Sequence, residues 1–122
     1  MNETKMFLIL LWIALALVYL LGDVFRIFAG DFKIGEAGGF EMTQGLWLGI
    51  AAVMLIPILM ILFTFQLDQP INRWLNIGVA VFFFLFNIVG LPTYPGLYDK
   101  FLIAVSLGMN AMTVYTAWNW SL

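Results

Sequence analysis

Asp23 and Arg26 stand three residues apart where the first long apolar run of the chain ends. On a helix that spacing brings the two side chains to one face. An ionisable group near membrane depth is costly and marks a functional site by default. The sharper reading of Asp23 is a carboxylate that handles a proton or a substrate. The plainer and preferred reading is an interfacial pair, with Arg26 snorkelling and the charges partly neutralised. A second polar group, Asn72, Arg73 and Asn76, surrounds Trp74 after a Leu-Asp-Gln-Pro turn. Arg73 could hold a lipid phosphate, but satisfying the frayed helix ends of a short connection takes precedence. Asn87 and Asn110 lie deep in later apolar runs. They read first as interhelical hydrogen-bond glue and second as a polar pocket.

The residues that are missing narrow the chemistry further. The chain has no Cys and no His. Disulfides, thiol redox chemistry, thiolate metal sites and an imidazole base all drop out. Its few acids are scattered, so no oxygen-ligand metal site is expected. No catalytic residue, cofactor or metal is assigned. The net charge of −2 with no basic cluster excludes nucleic acid as a partner. Hydrophobic residues make up 64% of the chain and charged ones 10%, against about 25% charged in a soluble domain. A chain of 122 residues cannot hide that much apolar surface from water. Bilayer must be its solvent.

Four apolar runs supply the elements that position these groups. The first reads as a helix over residues 5–28. It is taken as retained, since no small-x-small cleavage pattern follows it. Residues 29–43 carry Gly30, Gly35, Gly38 and Gly39 with charges and aromatics interspersed, which suits a loop lying in the headgroup region. The second helix is expected over 44–66, capped by Thr43, with Pro57 as a tolerated kink. Asp68 or Gln69 is expected to cap a third helix over 70–91. The stretch Pro92-Thr93-Tyr94-Pro95-Gly96 breaks the chain before a fourth, over 97–118. Asp99 in its first turn suits the positive end of the helix dipole. The expected fold is all-α: one domain over 1–122, a four-helix transmembrane bundle with both termini on one side. Trp74, Trp118 and Trp120 then fall in one aromatic belt, and Trp47, Tyr94 and Tyr98 in the other. Lys and Arg number two on the terminal side and three opposite, which does not set orientation; the termini are placed in the cytoplasm. Gly45-x-x-x-Gly49 and the stripe Ala104, Gly108, Ala111 are read as internal packing faces in preference to a dimer interface.

The order of features resembles a known family. Its signs are Tyr19-Leu20-Leu21-Gly22-Asp23-Val24-Phe25 closing helix one and Met42-Thr43-Gln44 opening helix two. Ile56-Pro57-Ile58-Leu59-Met60 lies within helix two. Asn72-Arg73-Trp74-Leu75-Asn76-Ile77 opens helix three, and Ala117-Trp118-Asn119-Trp120 closes the chain. Together they resemble a family of small bacterial four-helix membrane proteins of unknown function, distantly similar to DoxX-like proteins. The resemblance implies four helices and a bacterial cytoplasmic membrane, and no activity. The DoxX-like similarity implies association with membrane redox or quinone systems by analogy alone.

The expected role is therefore a non-enzymatic membrane component, binding lipid or a small ligand or serving as an accessory. Its partners are membrane lipids, a second copy or another membrane protein. The alternative is a small oligomeric transporter. Small multidrug-resistance transporters place an acid within helix one, whereas here Asp23 stands at its end. An enzyme would have to rest on Asp23, Glu36, Glu41 or a tyrosine, with no base partner in sight.

Overall fold

The computed structural model of the chain describes residues 3–30, 36–37, 40–41, 43–93 and 96–120. The first helix, α1, spans Glu3–Phe28; α2 spans Gln44–Gln66, α3 Ile71–Gly90 and α4 Leu97–Trp118. Their 26, 23, 20 and 22 residues correspond to roughly 30–39 Å at 1.5 Å per residue. Each is long and apolar enough to cross a membrane. A two-residue antiparallel pair, β1 (Glu36–Ala37) with β2 (Phe40–Glu41), interrupts the connection between α1 and α2. No pattern in residues 29–43 announces it. Most of the expected glycine-rich loop otherwise lies outside the described residues. The architecture is an all-α four-helix bundle.

Helix periodicity decides what lies inside. On α4 the buried residues are Asp99, Ile103, Ser106, Asn110, Thr113 and Ala117, alternating steps of four and three. On α3 they are Asn72, Asn76, Ala80, Phe83 and Asn87. On α1 they are Leu8, Leu11, Trp12, Leu15, Tyr19 and Gly22. The α3 and α4 faces are thus polar at many positions, while large apolar residues such as Leu17, Leu48, Phe65 and Val89 point outward. This inversion suits a hydrocarbon solvent. Apolar side chains meet lipid at no cost, and polar ones turn toward partners inside the protein.

The core holds Trp12, Leu15, Tyr19, Met60, Ala80 and Phe83. A second cluster joins Leu8 and Leu11 of α1 to Ala117 and Trp120 at the end of α4. It brings the start of the first helix and the end of the last to the same end of the bundle. The run of phenylalanines on α3 divides by face: Phe83 is buried while Phe82 and Phe86 stack on the outside.

Helix α1 packs along both α2 and α4, and α4 along α3, but α2 and α3 meet only sparsely. This corrects the expectation that the small-residue stripes serve internal packing. Gly45 and Gly49 line an open groove of about 380 Å³ between α2 and Phe86. A Cβ on Gly49, or on Gly108 of α4, would meet nothing within 4 Å among the described residues.

The helix ends also depart from expectation in one place. Thr43 caps α2 by accepting from the Leu46 N–H. Neither Asp68 nor Gln69 caps α3, which begins after Pro70 with no side-chain cap. The polar side chains of that turn are used across the bundle instead.

A candidate ligand site at the Arg26 charge node

Arg26 lies in the last turn of α1 and reaches across to the first turn of α4. Its Nη1 donates to Asp99 Oδ1 at 2.7 Å, and its Nη2 donates to Asp23 Oδ1. The Arg26 side chain is 13% exposed, that of Asp99 0% and that of Asp23 43%. One guanidinium therefore serves two carboxylates. With all three ionised the node carries one surplus negative charge. Asp99 Oδ2 is buried without a hydrogen-bond partner among the described residues. Asp99 also sits where the α4 backbone N–H groups emerge, the favourable end of the dipole for an anion.

The surroundings of the node are small and aromatic. Gly22 is buried one turn before Arg26, and a Cβ there would come within 3.4 Å of the guanidinium. Tyr98 packs its ring 6.2 Å from that of Phe25. Gly96, which opens α4, leaves room for that ring, since a Cβ would run into it. Gly96→Ala is expected to displace Tyr98 and cost about 1–3 kcal/mol of stability, the range for overpacking. Thermal unfolding in micelles, with Tyr98→Ala as the relieving second change, checks it.

A groove of about 370 Å³ runs from the node along the outside of α1 and α2. Its walls include Ile13, Leu17 and Leu20 of α1 with Met54, Ile58 and Ile61 of α2, and Asp23 stands at its end. Tyr19 also lines it, and the Tyr19 hydroxyl accepts from Asn87 Nδ2 at 2.5 Å. Asn87 is thereby the interhelical tie expected of it, made to a phenol on α1.

Asn72, Arg73 and Asn76 belong to a different assembly at the opposite end. Asn72 Nδ2 donates to the carbonyls of Thr64 and Leu67, at 2.8 and 2.9 Å, closing the end of α2. Asn76 Nδ2 donates to Asn72 O and Oδ1, and Asn76 Oδ1 accepts from Trp12 Nε1 at 2.6 Å. Arg73 Nη2 donates to Trp118 O at 2.8 Å and its guanidinium lies over the rings of Trp74 and Trp118. The first turns of α3 thus tie down the last carbonyls of α2 and α4, groups a helix leaves unpaired. The structure gives Arg73 and its neighbours this structural task. Asp23 and Arg73 do not pair.

Asn110 is where the glue reading fails. It is fully buried, yet neither its Oδ1 nor its Nδ2 has a partner among the described residues. Its face neighbours Ser106 and Thr113 turn their hydroxyls to carbonyls of their own helix, Ile103 O and Met109 O, so they leave it alone.

Asp99 is the residue that sequence reasoning passed over as a site member. Its signal was present: with Ser106, Asn110 and Thr113 it falls on one stripe of α4 at four-three spacing. No group of three or more acids placed to hold a metal ion occurs among the described residues.

Comparison with curated proteins gives no match, and comparison with solved structures gives none either. The model of a family of unknown function, DUF6326, matches residues 1–121, and the chain belongs to that family.

Proposed function

We propose that the protein is a non-enzymatic component of the cytoplasmic membrane that binds an amphiphile bearing a positive charge. The apolar part lies in the groove between α1 and α2, and the cation rests on Asp23. The observation that carries this reading is the node itself. A half-exposed carboxylate closes an otherwise apolar groove, and it shares its one guanidinium with a fully buried second acid. A cation there would be attracted by the surplus charge, and the low-dielectric surroundings strengthen that attraction. The reading includes cytoplasmic termini, and with them the node faces outward.

Tetraphenylphosphonium and tetraphenylborate are matched in size and opposite in charge, so they separate charge recognition from greasiness. Calorimetry on the purified protein in micelles should show the cation binding at least about tenfold tighter than the anion, equivalent to 1.4 kcal/mol. Asp23→Asn should remove that difference. Equal binding of the two probes, or a preference that survives Asp23→Asn, rules the reading out. Native mass spectrometry of protein extracted with its own lipids then identifies the resident molecule.

A transport role is favoured by one feature, the sharing of Arg26. When a cation occupies Asp23, the guanidinium still has Asp99, so occupancy and release need not break the α1–α4 link. Transport requires Asp23-dependent flux of the phosphonium probe into liposomes. Binding without flux leaves the binding role alone.

A further inference from the structure

The outer face of α4 repeats with the same spacing as its inner one. Phe101, Ala104, Gly108, Ala111, Tyr115 and Trp118 are separated by three, four, three, four and three residues, and all six are exposed. A seam with that period is what one helix presents to another at a shallow crossing angle. The residues are small in the middle and aromatic at both ends. That is the profile of two helices touching closely at their centre and diverging toward their ends. None of the described residues fills the centre, since a Cβ on Gly108 would find open space among them.

A second observation points to what docks there. Beside the seam, a groove of about 440 Å³ between α3 and α4 is lined by Ala111, Tyr115 and Trp118 of the seam, and also by Asn110. Asn110 offers a donor and an acceptor, both unpartnered among the described residues. Tyr115 is 72% exposed, and its hydroxyl makes no hydrogen bond among the described residues. A phenol both donates and accepts. The two groups thus lack what the other supplies. Within one chain they do not meet.

We propose that the protein forms a two-fold homodimer through the α4 seam, with the Tyr115 hydroxyl of each copy hydrogen-bonded to the Asn110 carboxamide of the other. In a two-fold contact each surface meets its own copy, so one pairing is made twice. With the axis along the membrane normal the two α4 helices run parallel at equal depth. Helical side chains lean toward the N-terminus. Tyr115 leans back over the roughly 7.5 Å of axial rise that separates it from Asn110. Gly108 and Ala111 are small enough to let the hydroxyl into the groove, and the fully buried Asn110 carboxamide, which lines that groove, turns toward it to meet the bond. The inference does not depend on the cation site, which lies on α1 and α2.

The absence of cysteine gives a clean background for the test. In proteoliposomes, Ala104→Cys and Gly108→Cys should each form disulfide dimers on mild oxidation. Leu17→Cys and Leu62→Cys, on exposed faces of α1 and α2, should not. Tyr115→Phe, a surface change that leaves folding intact, should weaken dimerisation by about 3–20-fold in a fluorescence dilution assay, the span of one or two membrane hydrogen bonds. Gly108→Ile should abolish it. Monomer at every protein-to-lipid ratio overturns the proposal, as does equal cross-linking at Leu17. A monomer retaining a lipid or small molecule that Asn110→Leu releases also overturns it, by assigning the groove to a ligand.

Discussion

Arg26→Met should cost about 3–5 kcal/mol of stability, the usual consequence of leaving one member of a buried pair uncompensated. The loss comes mainly from Asp99. Its side chain is fully buried, and it keeps no other hydrogen-bonded partner among the described residues once the guanidinium is gone. Asp23 is nearly half exposed and can find water, so Asp23→Asn should do little to stability. The control is the double variant Arg26→Met with Asp99→Leu. If the burden is the orphaned carboxylate, removing both partners recovers most of the loss, because a buried pair replaced by apolar groups of similar volume is close to neutral. Reversible unfolding in mixed micelles, read as a double-mutant cycle, gives the coupling energy. Two single changes that simply add in the double variant would falsify the view that Arg26 acts through Asp99. The same cycle separates structure from function. Asp23 is expected to move cation binding and leave stability alone, whereas Asp99, whose charge gives the node its surplus, is expected to move both.

The four-helix architecture was legible because bilayer thickness and backbone pairing leave little choice for runs this apolar. Thr43 announced its helix for the same local reason, a hydroxyl one residue before the first turn. Contacts between helices were not legible, since no local rule says which faces meet. Asp23 with Arg26 was visible from a spacing of three, but their link to Asp99 joins positions 73 residues apart. Asn72 and Asn76 were visible as a pair, and the helix-end role fitted the turn before them. Their acceptors on α2 and Trp12 on α1 follow only from the packing. The small stripes were misread because spacing reports a smooth helix face without saying whether that face looks inward. In a membrane protein both directions are apolar, so hydropathy does not distinguish them. The more useful mark was the polar stripe: on α4 the side bearing Asp99, Ser106, Asn110 and Thr113 had to be the inside.

That logic makes Asn76 the most exacting position in the terminal half of the bundle. Its carboxamide is saturated: Oδ1 accepts from Trp12 Nε1 and Thr64 Oγ1, and Nδ2 donates to Asn72 O and Oδ1 and approaches Thr64 Oγ1 at 3.3 Å. Asn76→Leu keeps the volume and removes every one of these bonds. Trp12 Nε1 and Asn72 Oδ1 then lie buried with no partner, each costing about 1–3 kcal/mol. Membrane hydrogen bonds average nearer 0.6 kcal/mol, because the unfolded chain in lipid also finds partners. Trp12 is fully buried and cannot re-pair in the folded state, so the larger scale applies, and the expected loss is about 2–4 kcal/mol. Trp12→Phe in the same background should be nearly free of further cost through the indole N–H, since that group is already orphaned. In the wild type it should cost more. Asn72 tests the other half. Asn72→Leu strips the Thr64 and Leu67 carbonyls of their donor, so hydrogen exchange should show the last turn of α2 fraying while α1 keeps its protection. If Asn76→Leu unfolds the protein no more easily than the wild type, the network is decoration on a bundle held by packing alone, and the polar interior would have to be explained by what it binds.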